Sequence, residues 1–396
     1  MTGRAATALA AGLEPLRDGR FRRLLLSMAV SASGSSGTLV ALTWLVAVEQ
    51  GDGDRLGLVL AAYTVPQFVA GLVGGALADR YGTRALSRAG HLTAGGALLA
   101  LWLFSAGSAA GVAGIVAVAG TGVALAQPVT GALMVSIVDD RRLGPANMLR
   151  TIALDAAAVL GPVSAGVLIA GFGAHAWFLV DAVTFLLAAA LLPPPRRAPE
   201  EGAPRRLAEA AAGLRFVVGR RPLWTGMVAA GLGNLLVTVP LLVGVPTMVG
   251  SLGSTALGGF FALFTAGSVL GAAEAGLVAR RRPMRAALAF LLLAGVGTAL
   301  LGSAPDAARY CLAAGIGFCV AGFDVRWAAY LQGRVPGELM GRVLAGDAWA
   351  SFVCRTVGFA TLGLVAVRSP GGVLLVCGLV MAASAAAFLA GAGGDS

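Results

Sequence analysis

The chain has 396 residues, of which 58% are apolar and only 12% are charged, against about 25% charged in an ordinary soluble protein. A globule of this length has too little polar surface to shield so much apolar side chain from water. The composition therefore excludes an ordinary soluble enzyme and a disordered chain. The net charge is +10, and all 29 basic residues are arginine. Because the arginines lie between apolar runs, they favour the inner face of a membrane over nucleic acid as partner.

Twelve apolar segments are long enough to cross the hydrocarbon core as helices, which takes about 20 residues. They cover approximately residues 23–48, 56–78, 85–106, 110–137, 148–171, 174–192, 223–249, 256–279, 285–303, 307–332, 340–367 and 370–391. The sequence thus predicts an all-α membrane protein with twelve transmembrane helices.

Arginine is distributed unevenly between the loops that connect these segments. The loops of one side carry most of the arginines, whereas the opposite loops carry only Arg55, Arg309 and Arg368. Cytoplasmic loops are enriched in arginine, so we expect both termini to be cytoplasmic. Residues 1–22 lack a long apolar region and a clear cleavage site, which favours a cytoplasmic arm over a signal peptide. Lysine-free, arginine- and alanine-rich usage is typical of GC-rich bacterial genomes and predicts a bacterial plasma membrane.

The longest polar segment divides the apolar segments into two groups of six. Its residues from Arg205 to Val218 are compatible with a basic amphipathic helix on the inner leaflet. The expected organisation is an N-terminal arm (1–22), a first six-helix half (23–192), a linker (193–222), a second six-helix half (223–391) and a tail (392–396).

Short motifs recur in the two halves. Leu77-Ala-Asp79-Arg80 has a counterpart in Leu277-Val-Ala-Arg280, and Arg150-x4-Asp155-Ala-x-Ala has one in Arg342-x4-Asp347-Ala-x-Ala. Paired six-helix repeats of this kind are typical of transporters, in which the substrate path lies between the repeats. Matches this short also arise by chance.

The strongest local motif joins the second and third segments and reads Gly75-Ala-Leu-Ala-Asp79-Arg80-Tyr-Gly82-Thr-Arg84. It resembles the conserved loop between the second and third helices of the major facilitator superfamily, with Thr83 in place of a usual basic residue. The resemblance implies that this loop, together with Arg342, makes contacts specific to one conformation and so controls gating. The plainer interpretation is an arginine-rich inner loop with an incidental aspartate.

A second motif, Gly161-Pro162 with Gly166, lies in the fifth segment. It is similar to the fifth-helix motif of drug:proton antiporters, which implies an exporter; the alternative is an ordinary helix kinked by proline. Residues 16–24, 126–128, 137–147 and 335–343 also resemble the twelve-span macrolide and enterobactin exporters. The fourth segment lacks the arginine that many proton antiporters carry near position 118.

Charged residues within the segments are costly in lipid and tend to be functional or paired. A low dielectric favours the protonated form of a carboxylate, which allows it to load and release protons. The candidates for proton coupling are Asp155, Asp181, Glu274, Asp324, Asp347 and Arg355. For each of them a structural ion pair is the alternative.

The resemblance implies that the first, fourth, seventh and tenth helices line the substrate cavity. The candidates among their polar or aromatic residues are Ser33, Ser35, Thr38, Gln127, Thr130, Asn234, Thr238, Asp324 and Trp327. Apolar walls with few polar groups suit a lipophilic substrate, although hydrogen bonds between helices explain each residue equally well.

The predicted function is export of small hydrophobic drugs or natural products by proton antiport, without enzymatic activity. The expected partners are a lipophilic substrate, protons and membrane lipid, without nucleic acid, and the expected state is a monomer. The two histidines, His91 and His175, are far apart in sequence, so we expect neither a metal nor another cofactor. The alternatives are an importer or lysophospholipid flippase of the same fold, or a membrane scaffold that transports nothing.

Overall fold

The computed structural model describes residues 13–50, 55–104, 108–139, 142–195, 216–249, 254–277, 283–366 and 368–391. In these residues the secondary structure is helical, and none of them forms a strand. The first six long helices are α1 (Gly19–Trp44), α2 (Leu56–Tyr81), α3 (Thr83–Phe104), α4 (Ala109–Ile137), α5 (Leu143–Phe172) and α6 (Ala174–Leu191).

The second set begins with α7, which consists of Arg221–Gly233 and Val239–Val249 joined by a π-helical turn, Asn234–Thr238. The others are α8 (Ser254–Leu277), α9 (Pro283–Leu301), α10 (Asp306–Arg334), α11 (Gly337–Ala366) and α12 (Pro370–Gly391). A short 3-10 helix, Glu14–Arg17, precedes α1, and a π-helical turn, Leu45–Glu49, follows it.

The helices have the length and composition of membrane spans. Among the described residues, eight of them are long and apolar enough to cross a bilayer, namely α1, α5 to α10 and α12. Shorter apolar stretches lie in α2 (Leu56–Gln67) and α4 (Ala110–Ala126). The chain is therefore an all-α, multi-pass membrane protein, as predicted; the exact number of twelve spans stays a prediction.

The chain divides into two compact units, one of residues 1–45 and 59–202 and the other of residues 46–58 and 203–396. In the first unit, α1 packs on α5 and α6, while α3 packs on α4 and α6. In the second, α7 packs on α11 and α12, while α9 packs on α10 and α12. The same helix pairing thus occurs twice, six helices apart, although the two sequences share only short motifs.

Local chemistry explains several helix boundaries. Asp18 caps α1 by accepting a 2.8 Å hydrogen bond from the Arg20 amide, and Ser108 caps α4 through the Gly111 amide at 3.3 Å. Both α9 and α12 begin with proline, which has no amide hydrogen to leave unpaired at the first helical position. Gly82, between α2 and α3, has φ +83°, a backbone conformation that residues with a Cβ rarely adopt.

Small residues set the distance between several helices. Gly267 and Gly271 of α8 lie against the backbone of Ala314 and Phe318 of α10, and Gly317 of α10 lies against Phe264 of α8. A Cβ at any of these glycines would overlap the facing helix. Such contacts let helices associate in lipid, where apolar burial contributes little.

Candidate functional site

A buried carboxylate lies near the middle of α6. Asp181 is completely buried, and it accepts hydrogen bonds from the Thr38 hydroxyl of α1 at 2.5 Å and from the Thr184 hydroxyl at 2.9 Å. Within the described residues, no arginine forms an ion pair with it. This arrangement brings the coupling candidate Asp181 and the cavity candidate Thr38 into direct contact.

A stripe of small residues on α1 makes room for this site. A Cβ at Gly34 would overlap the Asp181 carboxylate, and one at Gly37 would overlap the Trp177 ring of α6. The Trp177 indole also donates a 3.3 Å hydrogen bond to the Gly34 carbonyl. The tryptophan therefore anchors α6 on α1 one helical turn from the carboxylate.

The Gly161-Pro162 motif of α5 lies on another face of the same α1 segment. Gly161 is buried against Ser33 and Ser36, and the Ser36 hydroxyl donates a 2.9 Å hydrogen bond to the Ala157 carbonyl. Pro162 lies inside the helix, and Gly166, one turn further on, is buried. The motif thus forms the contact between α5 and α1.

Three side chains bind the C-terminal carbonyls of α6. The Ser27 hydroxyl donates to Ala188 at 2.9 Å, and the Arg23 guanidinium donates to Ala190 at 3.4 Å. The Arg84 guanidinium, at the start of α3, donates twice to the Leu192 carbonyl, at 3.2 and 3.3 Å. Cations suit a helix C-terminus, because its last carbonyls lack helical partners and carry partial negative charge.

The rest of the motif between α2 and α3, for which we predict a gating role, is described only in part. Arg80 is exposed, and its guanidinium lies 5.4 Å from the centre of the Tyr81 ring. The surroundings of Gly75 lie outside the described structure. So do the side chains of Asp79, Gln127, Asp155 and Arg342.

A polar cluster that the sequence reasoning missed joins α3 to α4. Ser87 and Thr130 share a 2.7 Å hydrogen bond between their hydroxyls, and a ring nitrogen of His91 lies 2.7 Å from the Ser87 carbonyl. All three side chains are buried, and the His91 ring packs on Phe185 of α6. The signal in the sequence was the Ser87–His91 spacing, since residues four apart share one helix face.

In the second unit, Arg326 of α10 forms an ion pair with Glu274 of α8. The arginine side chain is 4% exposed, donates to the Gly322 carbonyl at 2.9 Å and lies 4.2 Å from the centre of the Phe290 ring. The guanidinium is thereby satisfied on several sides. Asp324, two residues before Arg326, is exposed.

Trp327 connects three helices of the second unit. Its indole donates a 3.0 Å hydrogen bond to the Asp347 carboxylate of α11, and its ring fills the space that a Cβ at Gly226 of α7 would need. Trp327 is 4% exposed, so it lies in the packed interior of its unit. Arg355 lies further along α11, half-buried, 5.8 Å from the centre of the Phe352 ring.

Asn234 and Thr238 are the first and last residues of the π-helical turn in α7. The Val239 amide bonds to the Asn234 carbonyl, and the Asn234 side chain donates to Ala230 at 3.1 Å. Single π-helical turns are rare and frequently lie at functional sites. Ser35, by contrast, donates to the Ser31 carbonyl of its own helix at 2.8 Å.

A sequence profile described as the Major Facilitator Superfamily matches residues 24–358. The chain belongs to this superfamily. The protein is accordingly a membrane transporter, and its family supports secondary transport.

Two solved structures illustrate how far this superfamily fold is shared. A point mutant of the nucleoside transporter NupG has a TM-score of 0.66 at 13% identity, covering 94% of this chain and 99% of that one. An auto-inhibited POT family peptide transporter has a TM-score of 0.71 at 14% identity, covering 94% and 96%. A comparison with curated proteins finds no significant match. At these identities the structural likeness shows the fold alone.

In this superfamily member, two carboxylates within the apolar helices differ in their hydrogen-bond partners. Asp181 is bonded to hydroxyl groups, whereas Glu274 is bonded to an arginine. A carboxylate paired with a cation is balanced without a proton. One without such a partner depends on its hydrogen bonds, because an unpaired charge is expensive in a low dielectric.

Proposed function

We propose that the protein exports small hydrophobic drugs or natural products, driven by the uptake of protons in the opposite direction. The membership in a transporter superfamily supports the transport, and the small number of polar groups on the helices expected to line the cavity supports a lipophilic substrate. The resemblance of the Gly161-Pro162 motif to that of drug:proton antiporters supports the outward direction.

The observation that carries the proposal is the hydrogen bonding of Asp181. This carboxylate is 0% exposed, and its described partners are the hydroxyl groups of Thr38 and Thr184. Hydroxyl groups donate to a carboxylate and also accept from a carboxylic acid. The two hydroxyl groups can therefore bond either protonation state, which suits a group that loads and releases a proton during each cycle.

The polar ends of the π-helical turn in α7 are the proposed contacts for the substrate. Asn234 and Thr238 are only partly buried, in a helix that is otherwise strongly apolar. A few polar groups in an apolar environment orient a lipophilic molecule without excluding it.

The test is accumulation of lipophilic dyes and antibiotics in a bacterium lacking its main efflux pumps. Cells expressing the protein are compared with cells expressing Asp181→Asn, each with and without a protonophore. Asp306→Asn, which alters an exposed carboxylate at the start of α10, is the matched control. We expect the native chain and the control to lower accumulation, and the protonophore or Asp181→Asn to abolish that effect.

Export that persists with a collapsed proton gradient would overturn the proton coupling. The panel also includes a nucleoside and a dipeptide as polar compounds. If the protein increased uptake of a compound into right-side-out vesicles, it would be an importer. If no compound moved in either direction, broad multidrug export would be rejected.

A further inference from the structure

A groove of about 270 Å³ lies at one end of the second unit. It is formed by the beginnings of α7 and α9 and by the ends of α10 and α12. Since helices of about 20 residues span the hydrocarbon core, their ends lie at the level of the lipid headgroups. The groove therefore opens where a headgroup and the first part of its acyl chains are found.

Three guanidinium groups line the groove. Arg221 is the first residue of α7, Arg285 the third of α9 and Arg334 the last of α10. Among the described residues lining it none is acidic, and no described carboxylate pairs with any of the three arginines. The positive charge of the groove is therefore not neutralised by the described part of this unit.

The remaining wall is apolar and aromatic. Trp224 of α7 is 39% exposed, so part of its ring is open to a bound molecule. The Arg334 guanidinium lies over the Tyr330 ring, 5.3 Å from the centre of that ring. Phe388 lines the groove from α12. Tryptophan and tyrosine favour the membrane interface, because their rings are apolar and their NH or OH groups are polar.

We propose that this groove binds an anionic phospholipid, with the phosphate among Arg221, Arg285 and Arg334 and an acyl chain along Trp224. Charge complementarity selects the anionic headgroup, because basic pockets between helices at a membrane surface bind such headgroups. The aromatic wall selects a lipid over a free anion, since a free phosphate would leave Trp224 and Phe388 without a partner.

The experiment uses the full-length protein in a non-ionic detergent and follows tryptophan fluorescence. Phosphatidylglycerol with brominated acyl chains is titrated against phosphatidylcholine carrying the same chains, because bromine quenches a tryptophan in contact with it. The chain has six tryptophans, so Trp224→Phe identifies the part of the quenching that comes from the groove. Inorganic phosphate is titrated separately as a competitor.

We expect phosphatidylglycerol to quench Trp224 at lower concentration than phosphatidylcholine. Arg285→Gln and Arg334→Gln should each weaken this binding about fivefold, while Arg285→Lys should retain most of it. Arg22→Gln, which removes an exposed arginine near the start of α1, is the matched control and should leave it unchanged. Each variant is checked for a monodisperse profile and a native unfolding temperature before titration.

Equal quenching by the two lipids would overturn the proposal, because the groove would then accept any acyl chain. An equal loss in Arg22→Gln would also overturn it, since the effect would come from total surface charge. If inorganic phosphate displaced the lipid at similar concentration, the groove would be an anion site and not a lipid site. Each of these experiments measures lipid binding by tryptophan quenching and not transport. Their results are therefore independent of the outcome of the transport assay.

Discussion

The Thr38 hydroxyl of α1 donates a 2.5 Å hydrogen bond to the Asp181 carboxylate of α6, and both side chains are completely buried. The two residues are 143 positions apart in the sequence. Their contact ties the first helix of the first unit to the last one, at a group that is costly to place in a membrane.

Asp181→Asn tests whether this carboxylate carries the proton. Asparagine has nearly the same shape, and its amide oxygen accepts from one threonine hydroxyl while its NH2 group donates to the other. We therefore expect the stability to change by about 1 kcal/mol or less. Transport driven by a pH gradient across proteoliposomes should be lost, because the amide does not titrate. Exchange of substrate without a gradient should persist, and its loss would indicate a structural role instead.

Gly271→Ala tests the close approach of α8 and α10. The new methyl group would overlap the Phe318 backbone, and we expect destabilisation of about 1–3 kcal/mol. Gly276→Ala in the same helix is the control, because nothing lies within 4 Å of its Cβ position. The unfolding temperature in detergent should fall for Gly271→Ala only. If the two variants unfolded at the same temperature, α8 and α10 could move apart without a loss of stability.

Glu274→Gln tests the ion pair with Arg326. It leaves a guanidinium that is 4% exposed without its anion, so we expect a loss of about 3–5 kcal/mol of stability. Asp306→Asn removes the charge of an exposed ion pair, in which the Asp306 carboxylate lies 2.7 Å from the Arg309 guanidinium. This change should lower the stability by only about 0–1 kcal/mol.

The ion-pair interpretation also predicts how a double variant behaves. Glu274→Gln with Arg326→Met should be more stable than Glu274→Gln alone, because no buried charge is left unpaired. If instead Glu274→Gln were fully stable and only proton coupling were lost, Glu274 would belong to the coupling groups.

Arg84→Ala tests the binding of the α6 C-terminus. It removes two charge-assisted hydrogen bonds to the Leu192 carbonyl, and we expect a cost of about 1.5–3 kcal/mol. Hydrogen exchange should accelerate at the last turn of α6. Arg80→Ala, which removes an exposed side chain of the same motif, should leave that exchange unchanged.

Much of the helical architecture could be predicted from the sequence. In lipid, every backbone amide and carbonyl needs a partner within its own segment, so an apolar segment of sufficient length becomes a helix whatever surrounds it. The predicted segment 110–137 and the observed α4 (Ala109–Ile137) differ by one residue for this reason. The proline that begins α12 and the glycine at position 82 likewise act through their own backbone geometry.

The partners of the polar groups could not be predicted in the same way. Asp324 and Arg326 are neighbours in the sequence, but residues two apart lie on different faces of a helix. The structure pairs Arg326 with Glu274, 52 residues away, and leaves Asp324 exposed. Trp327, a candidate for the cavity, is buried against Gly226 and bonded to Asp347.

By itself the sequence determined that this is a multi-pass helical membrane protein, because hydropathy and backbone hydrogen bonding act within each segment. Only the tertiary structure decided which charges are paired and which are bonded to hydroxyl groups. Thr38 meets Asp181, and Arg326 meets Glu274, because glycines bring their helices close enough for the side chains to touch. That choice depends on packing between helices distant in the sequence, which no local pattern contains.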